Sequence, residues 1–377
     1  MYVALFVAGL VAVVMLHEFG HYATAKAFGM KVERFFLGFG PTLWSFRRGE
    51  TEYGVKAIPA GGFVKIVGMS AFERVAPADR GRTFHEQAAW KRAVVLVSGS
   101  ATHFVVAVVL VFAGLALVGA PAVNTTIQRV VDGSPADAAG LRPGDEIVAV
   151  EGRPTGEFQA VRDVVEPRGG QEVTVTVRRR GEVLDLPVLL ATRTPGGDEQ
   201  GFLGVAPTPV TRRLPLGSAL KATFVGDFSV VRLTTLTVES LGQVFSAEGL
   251  AALFGEVGQP GPRSPEGPMS LVGAGQIVGA LGRQGDVFAV LAIVAQLNIV
   301  LGLLNLLPLP PLDGGHVAVL VTEEAVNTVR RRRGQPAWRV NPAVLMPLAF
   351  AVIMLFVVLG VTAVYVDVVK PASGLLQ

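Results

Sequence analysis

The sequence predicts a polytopic α-helical membrane protein, with about four transmembrane helices and a small α+β domain inserted between spans two and three. Half of its 377 residues are hydrophobic and only 17% are charged, and the mean hydropathy is +0.50. This composition is too apolar for an ordinary soluble protein. Four apolar runs approach or exceed the roughly 20 residues that cross a bilayer. They lie at about 2–28, 93–118, 287–307 and 342–366.

Basic residues between these runs predict how the chain crosses the cell membrane. Lysines and arginines recur through residues 29–92, and the connection between spans three and four carries Arg330–Arg333 and Arg339. Because positive charge favours the cytoplasmic side, both loops are expected in the cytoplasm. Both termini and residues 119–286 then lie outside. The first run has no basic n-region and no small-residue cleavage site, so it does not resemble a cleavable signal peptide.

These assignments divide the chain into eight predicted segments. They are helix one (1–28), a cytoplasmic loop (29–92), helix two (93–118), an extracytoplasmic domain (119–208), an amphipathic or linker region (209–286), helix three with the motif that follows it (287–315), a basic cytoplasmic loop (316–341), and helix four with the C-terminal tail (342–377). Residues 216–253 are moderately amphipathic and are expected to lie on the membrane surface; a fifth span is the alternative. Residues 269–281 are expected to form a short helix that touches the active-site region.

The first apolar run contains the motif His17-Glu18-Phe19-Gly20-His21. Residues four apart share one helix face, so both imidazoles can reach one zinc ion. The intervening Glu18 can act as a general base on water. Residues 1–16 carry no charged side chain, which places the motif in a membrane-spanning helix, where ionisable groups are costly and indicate function. The sequence therefore predicts a metalloprotease active site within the membrane.

A second motif follows the third run. It comprises Asn305 and then Leu306-Leu307-Pro308-Leu309-Pro310-Pro311-Leu312-Asp313-Gly314-Gly315. Prolines that break a membrane helix are tolerated where the backbone is buried in protein or lines a cavity. A catalytic zinc site typically takes three protein ligands and a water, and Asp313 is the best remaining donor in a chain that has no cysteine. Asn305 is placed to donate a hydrogen bond to an oxyanion.

Asn298 lies seven residues before Asn305 and shares its helix face. Two interpretations of this residue stay open. The first is substrate binding, and the second is hydrogen bonding between helices within the bundle.

Residues 119–208 show the pattern of a small soluble domain. The string Ser134-Pro135-Ala136-Asp137-Ala138-Ala139-Gly140-Leu141-Arg142-Pro143-Gly144-Asp145-Glu146-Ile147 predicts a short helix, turns and a strand. A helix is predicted at 158–165, and strands at 172–177 and 183–189. The pattern resembles the PDZ domain of bacterial proteases, a module that holds an extended peptide as an added strand. The alternative is a domain that only excludes bulky substrates.

The two motifs and the PDZ-like insert together resemble the site-2 protease family of intramembrane zinc metalloproteases. Within it, the chain is most similar to the bacterial regulators of sigma-factor signalling of the actinobacterial type, and the resemblance covers nearly the whole chain. The resemblance implies Zn²⁺ on His17, His21 and Asp313, with Glu18 as the base and Asn305 in substrate or oxyanion binding. The stretch Pro59–Lys65 resembles the family's membrane-associated β-loop, which pairs with an extended substrate. That likeness implicates four residues in substrate binding: Gly61, Gly62, Phe63 and Val64.

The chain departs from the family at the start of span two. Members commonly carry Gly-Pro-x-x-Asn there, whereas this chain has Gly99-Ser100-Ala101-Thr102-His103. A role assigned to that asparagine does not transfer to this chain. His103 is expected to face the bundle with a polar partner, and an approach to the metal is the alternative.

The predicted function is hydrolysis of a peptide bond in or near the transmembrane segment of a single-pass membrane protein. The resemblance implies that this substrate is an anti-sigma factor already shortened on its outer side. Other expected partners are membrane lipids and a peptide or substrate C-terminus at the PDZ-like domain. The net charge of +3 is small, and no nucleic acid partner is expected. The alternative function is a non-proteolytic membrane scaffold that binds through its PDZ-like domain.

Overall fold

The computed structural model describes residues 1–69, 75–194, 199–257, 267, 269–372 and 374. It divides the chain into two compact units. The helical unit comprises Met1–Gly114 with Pro215–Gln377, and the middle unit comprises Leu115–Leu214.

The described residues form eleven α-helices and ten strands. The α-helices are α1 (Tyr2–Ala27), α2 (Ala89–Ala113), α3 (Pro135–Ala138), α4 (Phe158–Val165), α5 (Leu216–Phe224), α6 (Val230–Val244), α7 (Ala247–Gly255), α8 (Leu271–Gln284), α9 (Val287–Asn305), α10 (Asp313–Arg332) and α11 (Pro342–Val369). The strands are β1 (Val32–Arg48), β2 (Thr51–Ile66), β3 (Ala120–Val130), β4 (Glu146–Val150), β5 (Arg153–Pro154), β6 (Glu172–Arg179), β7 (Glu182–Leu189), β8 (Ala191–Arg193), β9 (Gln200–Phe202) and β10 (Val205–Arg212).

Four of the described helices are long and apolar enough to cross a membrane. Their spans are Tyr2–Ala27, Ala89–Val118, Val287–Asn305 and Ala343–Val369. Together with the antiparallel sheet of the middle unit, they confirm the predicted fold class. The second span begins four residues earlier than expected, and the third ends at Asn305. The segment predicted as a basic loop is mostly helical, because α10 continues to Arg332.

Small residues bring α1 and α2 into close contact. A Cβ on Gly20 would lie 2.6 Å from Ser98 O and 2.8 Å from Thr102 Cγ2, so only glycine fits there. Thr24 Oγ1 lies 3.0 Å from Ser98 Oγ across the same interface. Such contacts are typical of helices that associate in lipid, where no hydrophobic driving force acts between them. The close approach brings α2 against the metalloprotease motif in α1.

β1 and β2 form a ribbon that folds back on itself. Residues 34–37 align on one side with 62–65 and on the other with 52–55, and residues 44–48 pair with 51–55. Phe36 stacks on Phe63 with ring centroids 5.6 Å apart, which fixes the register of the edge segment 62–65 against β1. The ribbon carries the predicted β-loop, and its Gly61–Val64 segment forms part of a strand.

The region after the middle unit contains three short helices, α5 to α7, where a surface helix over 216–253 was predicted. Each is shorter than a membrane span. Gln296 Nε2 in α9 donates to Thr237 Oγ1 in α6, and Phe228 packs edge-on against Phe288 at 5.1 Å. Helix α6 and the residue Phe228 before it therefore pack against the third span, and none of these three described helices is long enough to form a fifth span.

The short apolar helix α8 lies away from the metalloprotease motif, contrary to the prediction. Its Ala274 and Val278 pack against Phe6 near the start of α1. Its first turn is capped by the buried Asp367 of α11, whose Oδ2 accepts from the backbone N–H of Ser270 at 2.8 Å. The cap from Asp367 and the contact with Phe6 place this helix at the start of α1, at the end opposite to the motif.

The middle unit is a mostly antiparallel sheet with strand order β10-β3-β4-β6-β7, and β5 pairs with β4. Alternating valines of β6 point into a core with Ile147 and with the valines of α4. The helix at 158–165 and the β6–β7 hairpin occur where the sequence predicted them. Asp145 is 1% exposed and accepts two hydrogen bonds of 2.7 Å from Arg179. Burial alone would raise the pKa of Asp145, but the hydrogen bonds from Arg179 and from the Arg142 backbone, together with the positive charges of both arginines, lower it.

Candidate metal centre

Three side chains meet in the helical unit: His17 and His21 of α1, and Asp313 at the start of α10. His17 Nε2 and His21 Nε2 each lie 3.3 Å from Asp313 Oδ2, and 3.3 Å from each other. The three donor atoms therefore form a nearly equilateral triangle. Tetrahedral ligands at about 2.0–2.1 Å from zinc are about 3.3–3.4 Å apart. The triangle has the size and the donor types that a zinc ion requires.

Two hydrogen-bonding facts support this fit. Asp313 Oδ2 is buried and has no hydrogen-bond partner among the described residues, whereas buried carboxylate oxygens are normally paired. His21 Nδ1 lies 2.7 Å from Val95 O and donates to it, because a carbonyl can only accept. The lone pair of His21 Nε2 then faces the triangle, and the ring is fixed in that orientation.

Gly99 of α2 makes room for both imidazoles. A Cβ at this position would lie 2.3 Å from His21 Nε2 and 2.8 Å from His17 Cε1. The backbone of α2 thus forms the wall on which the two rings rest. No role was predicted for Gly99 from the sequence, where the available signal was a glycine within an apolar helix, which indicates close packing.

Asp313 is positioned by the turn between α9 and α10. Helix α9 ends at Asn305, before the prolines at 308, 310 and 311 remove backbone donors and prevent a continuous helix. Cβ atoms on Gly314 and Gly315 would lie 2.2 Å from Leu306 O and 2.6 Å from Pro310 N. Only glycines let this turn pack against the first turn of α10, and the packed turn directs Asp313 toward α1.

Glu18 lies between α1 and the β-loop. A Cβ on Gly62 would be 3.0 Å from Glu18 Cγ and 3.3 Å from Met15 Sδ, and the backbone of Val64 interacts with the Glu18 carboxyl. The segment 62–65 pairs with β1 along one edge. Within the described residues, its other edge has no strand partner. An open strand edge therefore lies beside the predicted base.

The remaining predicted polar residues occupy two different environments. Asn305 is partly buried at the end of α9 and makes no side-chain hydrogen bond within the described part of the chain. Asn298 is 2% exposed; its Nδ2 donates to Val294 O at 2.8 Å, and its Oδ1 lies 3.3 Å from His103 Nδ1. His103 thus has a polar partner in the bundle, and its ring centroid lies 5.1 Å from that of His17.

A separate cavity of about 780 Å³ lies within the middle unit, between α4 and the strands β3, β9 and β10. Two of its arginines are paired: Arg162 with Glu166 at 2.9 Å, and Arg212 with Glu157. Arg193 instead lies over the Phe202 ring, 3.2 Å from its centroid. The cavity therefore combines an apolar wall with a cation that has no carboxylate partner among the described residues.

Comparison with known proteins identifies relatives along nearly the whole chain. The family model "Peptidase family M50" matches residues 5–349. The chain is 37% identical to zinc metalloprotease Rip1 of Mycobacterium tuberculosis, over 98% of this chain and 97% of that protein. Rip1 of Mycolicibacterium smegmatis is also 37% identical, over 98% of each chain. A putative zinc metalloprotease of Rhizobium meliloti is 29% identical over 93% of this chain and 92% of its own length.

Among solved structures, the chain matches the PDZ domain of an SdrC-like protein from Listeria innocua. The identity is 20%, and the match covers 22% of this chain and 92% of that domain, with a TM-score of 0.20. The family match, in contrast, spans both motifs and both units. It confirms the enzyme class and the zinc cofactor predicted from the sequence. The chain belongs to peptidase family M50, the site-2 protease family, and is a zinc metalloendopeptidase of that type.

Proposed function

We propose that this protein cuts a single-pass membrane protein in or near its transmembrane segment, using zinc held by His17, His21 and Asp313. The observation that carries the assignment of ligands is the triangle of donor atoms with 3.3 Å edges. Zinc in such a site supplies Lewis acidity, which polarises a carbonyl and acidifies water. A structural zinc site would need a fourth protein ligand. No fourth His, Cys, Asp or Glu joins the triangle among the described residues.

Glu18 is the general base in this proposal. It follows His17 directly and lies beside the open edge of the β-loop. The carboxylate takes a proton from the attacking water and returns it to the leaving amine. Asn305 donates to the oxyanion that develops on the cleaved carbonyl, a role supported by its side-chain amide, which makes no hydrogen bond to the residues that the structure describes.

The β-loop receives the substrate as an added strand. A transmembrane helix must unwind before its peptide bond can be attacked, and the freed backbone groups then need partners in a water-poor site. The open edge of Gly61–Val64 supplies such partners, as in strand addition. Phe63 packs on Phe36 and Phe39, so its ring holds the edge in register. Asn298 is assigned to helix–helix contact, because both ends of its amide are used within the bundle.

We also propose a substrate and an orientation of the chain in the membrane. The substrate is an anti-sigma factor shortened on its outer side. The loop 29–92 and the arginines 330–333 lie in the cytoplasm, and both termini and the middle unit lie outside. The cavity of the middle unit receives a peptide or a new substrate C-terminus, for which Arg193 offers a charge partner.

Cleavage in vesicles tests this function. The full chain is reconstituted with two versions of a tagged single-pass protein, one with its outer domain intact and one shortened close to the membrane. We expect the shortened version to be cut within its apolar segment, as mapped by mass spectrometry of the products. A zinc chelator should stop cleavage, and added zinc should restore it.

Two results would contradict the proposal. Cleavage that continues after complete removal of metal would exclude the zinc mechanism. Binding of the shortened protein without any cleavage, across several apolar sequences and in the presence of zinc, would favour the membrane scaffold instead.

A further inference from the structure

A second polar cavity lies where α1 ends, apart from the metal centre. Its volume is about 510 Å³, and it is lined by Tyr22, Lys26, Arg48, Gly49, Glu50 and Tyr53. The lining combines the last turns of a membrane-spanning helix with the turn that joins β1 to β2. None of the three triangle residues contributes to it. The proposed catalytic chemistry therefore leaves this cavity without a role.

The charges around the cavity are predominantly positive. Glu50 accepts from Lys26 Nζ at 2.6 Å and from Arg82 at 2.8 and 2.9 Å. The hydrogen bonds from Arg82 have the largest effect, and together with the one from Lys26 they lower the pKa of Glu50 to about 2. Glu50 is therefore a carboxylate at neutral pH, and its single negative charge offsets only one of the surrounding cations. Arg48 lines the cavity, and it makes no ion pair or hydrogen bond with any residue that the structure describes. Its guanidinium offers several donors, two of which can bind one phosphate.

The tyrosine pair adds a neutral donor. Tyr22 Oη and Tyr53 Oη lie 2.6 Å apart, so one hydroxyl donates to the other. The accepting hydroxyl retains its own proton and can donate it to a ligand in the cavity. A ligand with several acceptor oxygens would therefore meet both the free hydroxyl and Arg48.

Exposed aromatic rings extend from the cavity along the ribbon. Tyr53 stacks on Phe46 at 5.3 Å, and Phe46 contacts Trp44 at 5.2 Å. Trp44 is 60% exposed. Phe19, which lies near Tyr22 toward the end of α1, is 49% exposed. Aromatic residues are enriched where a membrane span passes from hydrocarbon into water. The cavity is thus at headgroup level, with an apolar surface beside it.

We propose that this cavity binds the phosphate headgroup of an anionic phospholipid, whose acyl chains lie along the exposed aromatic residues. The excess of cations favours an anionic headgroup over a zwitterionic one, because a choline would bring a further cation next to Arg48. The aromatic surface favours an intact lipid over free phosphate, since phosphate alone leaves the apolar rings uncovered. The proposal depends on insertion of the protein in a membrane and not on its proteolytic activity.

The test uses the delipidated full chain in detergent, with bound lipid counted by native mass spectrometry. Phosphatidylglycerol is titrated against wild type, Arg48→Ala and Arg47→Ala. Arg47 is adjacent on the same strand and does not line the cavity, so its substitution removes the same charge from another face. We expect Arg48→Ala to weaken the first phosphatidylglycerol site by about fivefold to tenfold, and Arg47→Ala to leave it unchanged. Tyr53→Phe should weaken it less than Arg48→Ala.

Two further titrations separate the possible ligands. Phosphatidylcholine should bind wild type more weakly than phosphatidylglycerol and should not respond to Arg48→Ala. Inorganic phosphate at the same concentration should fail to displace the lipid. Displacement by inorganic phosphate would overturn the proposal in favour of a free-phosphate site. Equal affinity of wild type and Arg48→Ala for phosphatidylglycerol, or an equal loss in Arg47→Ala, would also overturn it.

Discussion

Replacing Gly99 with alanine is expected to lower zinc affinity and proteolytic activity by at least about a hundredfold, while the protein still folds. The added methyl group would lie 2.3 Å from His21 Nε2, about 1 Å closer than a normal contact. The His21 side chain can swing away, which spares the helix packing but breaks the triangle with His17 and Asp313. Displacement of a positioned group by about 1 Å can cost a hundredfold in rate.

Gly9→Ala is the matched control for this substitution. Gly9 lies in the same membrane-spanning helix as the two histidines, and its Cβ would meet nothing within 4 Å. We expect Gly9→Ala to keep wild-type zinc content and activity, and both variants to show wild-type helical content by circular dichroism. Full zinc binding by Gly99→Ala would show that the α1–α2 contact does not form the wall of the site.

Changing Glu18 to glutamine is expected to reduce turnover by about 10²–10⁴-fold, the range typical for loss of a general base. Zinc content should stay at the wild-type level, because Glu18 is not part of the ligand triangle. Glutamine has nearly the same shape, so the contact with Gly62 is retained and only proton transfer is lost. The measurement is single-turnover cleavage of the shortened substrate, with zinc determined on the same preparation.

Glu248→Gln provides the control, since it makes the same chemical change at an exposed residue of α7. It should leave turnover unchanged. Undiminished cleavage by Glu18→Gln would rule out Glu18 as the base. If Glu18→Gln lost zinc together with turnover, Glu18 would support metal binding and its role in proton transfer would not be established.

The sequence predicted the fold because its strongest signals are local. Apolar runs define the four spans, and the alternation of Val173, Val175 and Val177 defines a strand with one buried face. His17 and His21 could be paired from spacing alone, since one helix face holds both. Asp313 was predicted as the third donor by its motif, although it lies 292 positions after His21 in the chain.

The features that sequence analysis missed depend on contacts between elements. The role of Gly99 follows from the register of α2 against α1, which no local pattern encodes. Helix α8 was expected near the active site, and its actual position depends on the cap from Asp367, about a hundred residues away. Likewise, the cavity lined by Tyr22 and Arg48 forms only when the ribbon packs against α1. Local propensity cannot predict such long-range packing.

The most direct test of the central claim is the zinc content of the purified full chain, measured by elemental mass spectrometry for wild type, Asp313→Asn and Asp227→Asn. Asp227 is exposed between α5 and α6 and serves as the matched control. We predict one zinc per chain in wild type and in Asp227→Asn, and a loss of most of the zinc in Asp313→Asn, because an amide is a much weaker ligand than a carboxylate. Wild-type zinc content and affinity in Asp313→Asn would contradict the claim that His17, His21 and Asp313 together hold the metal.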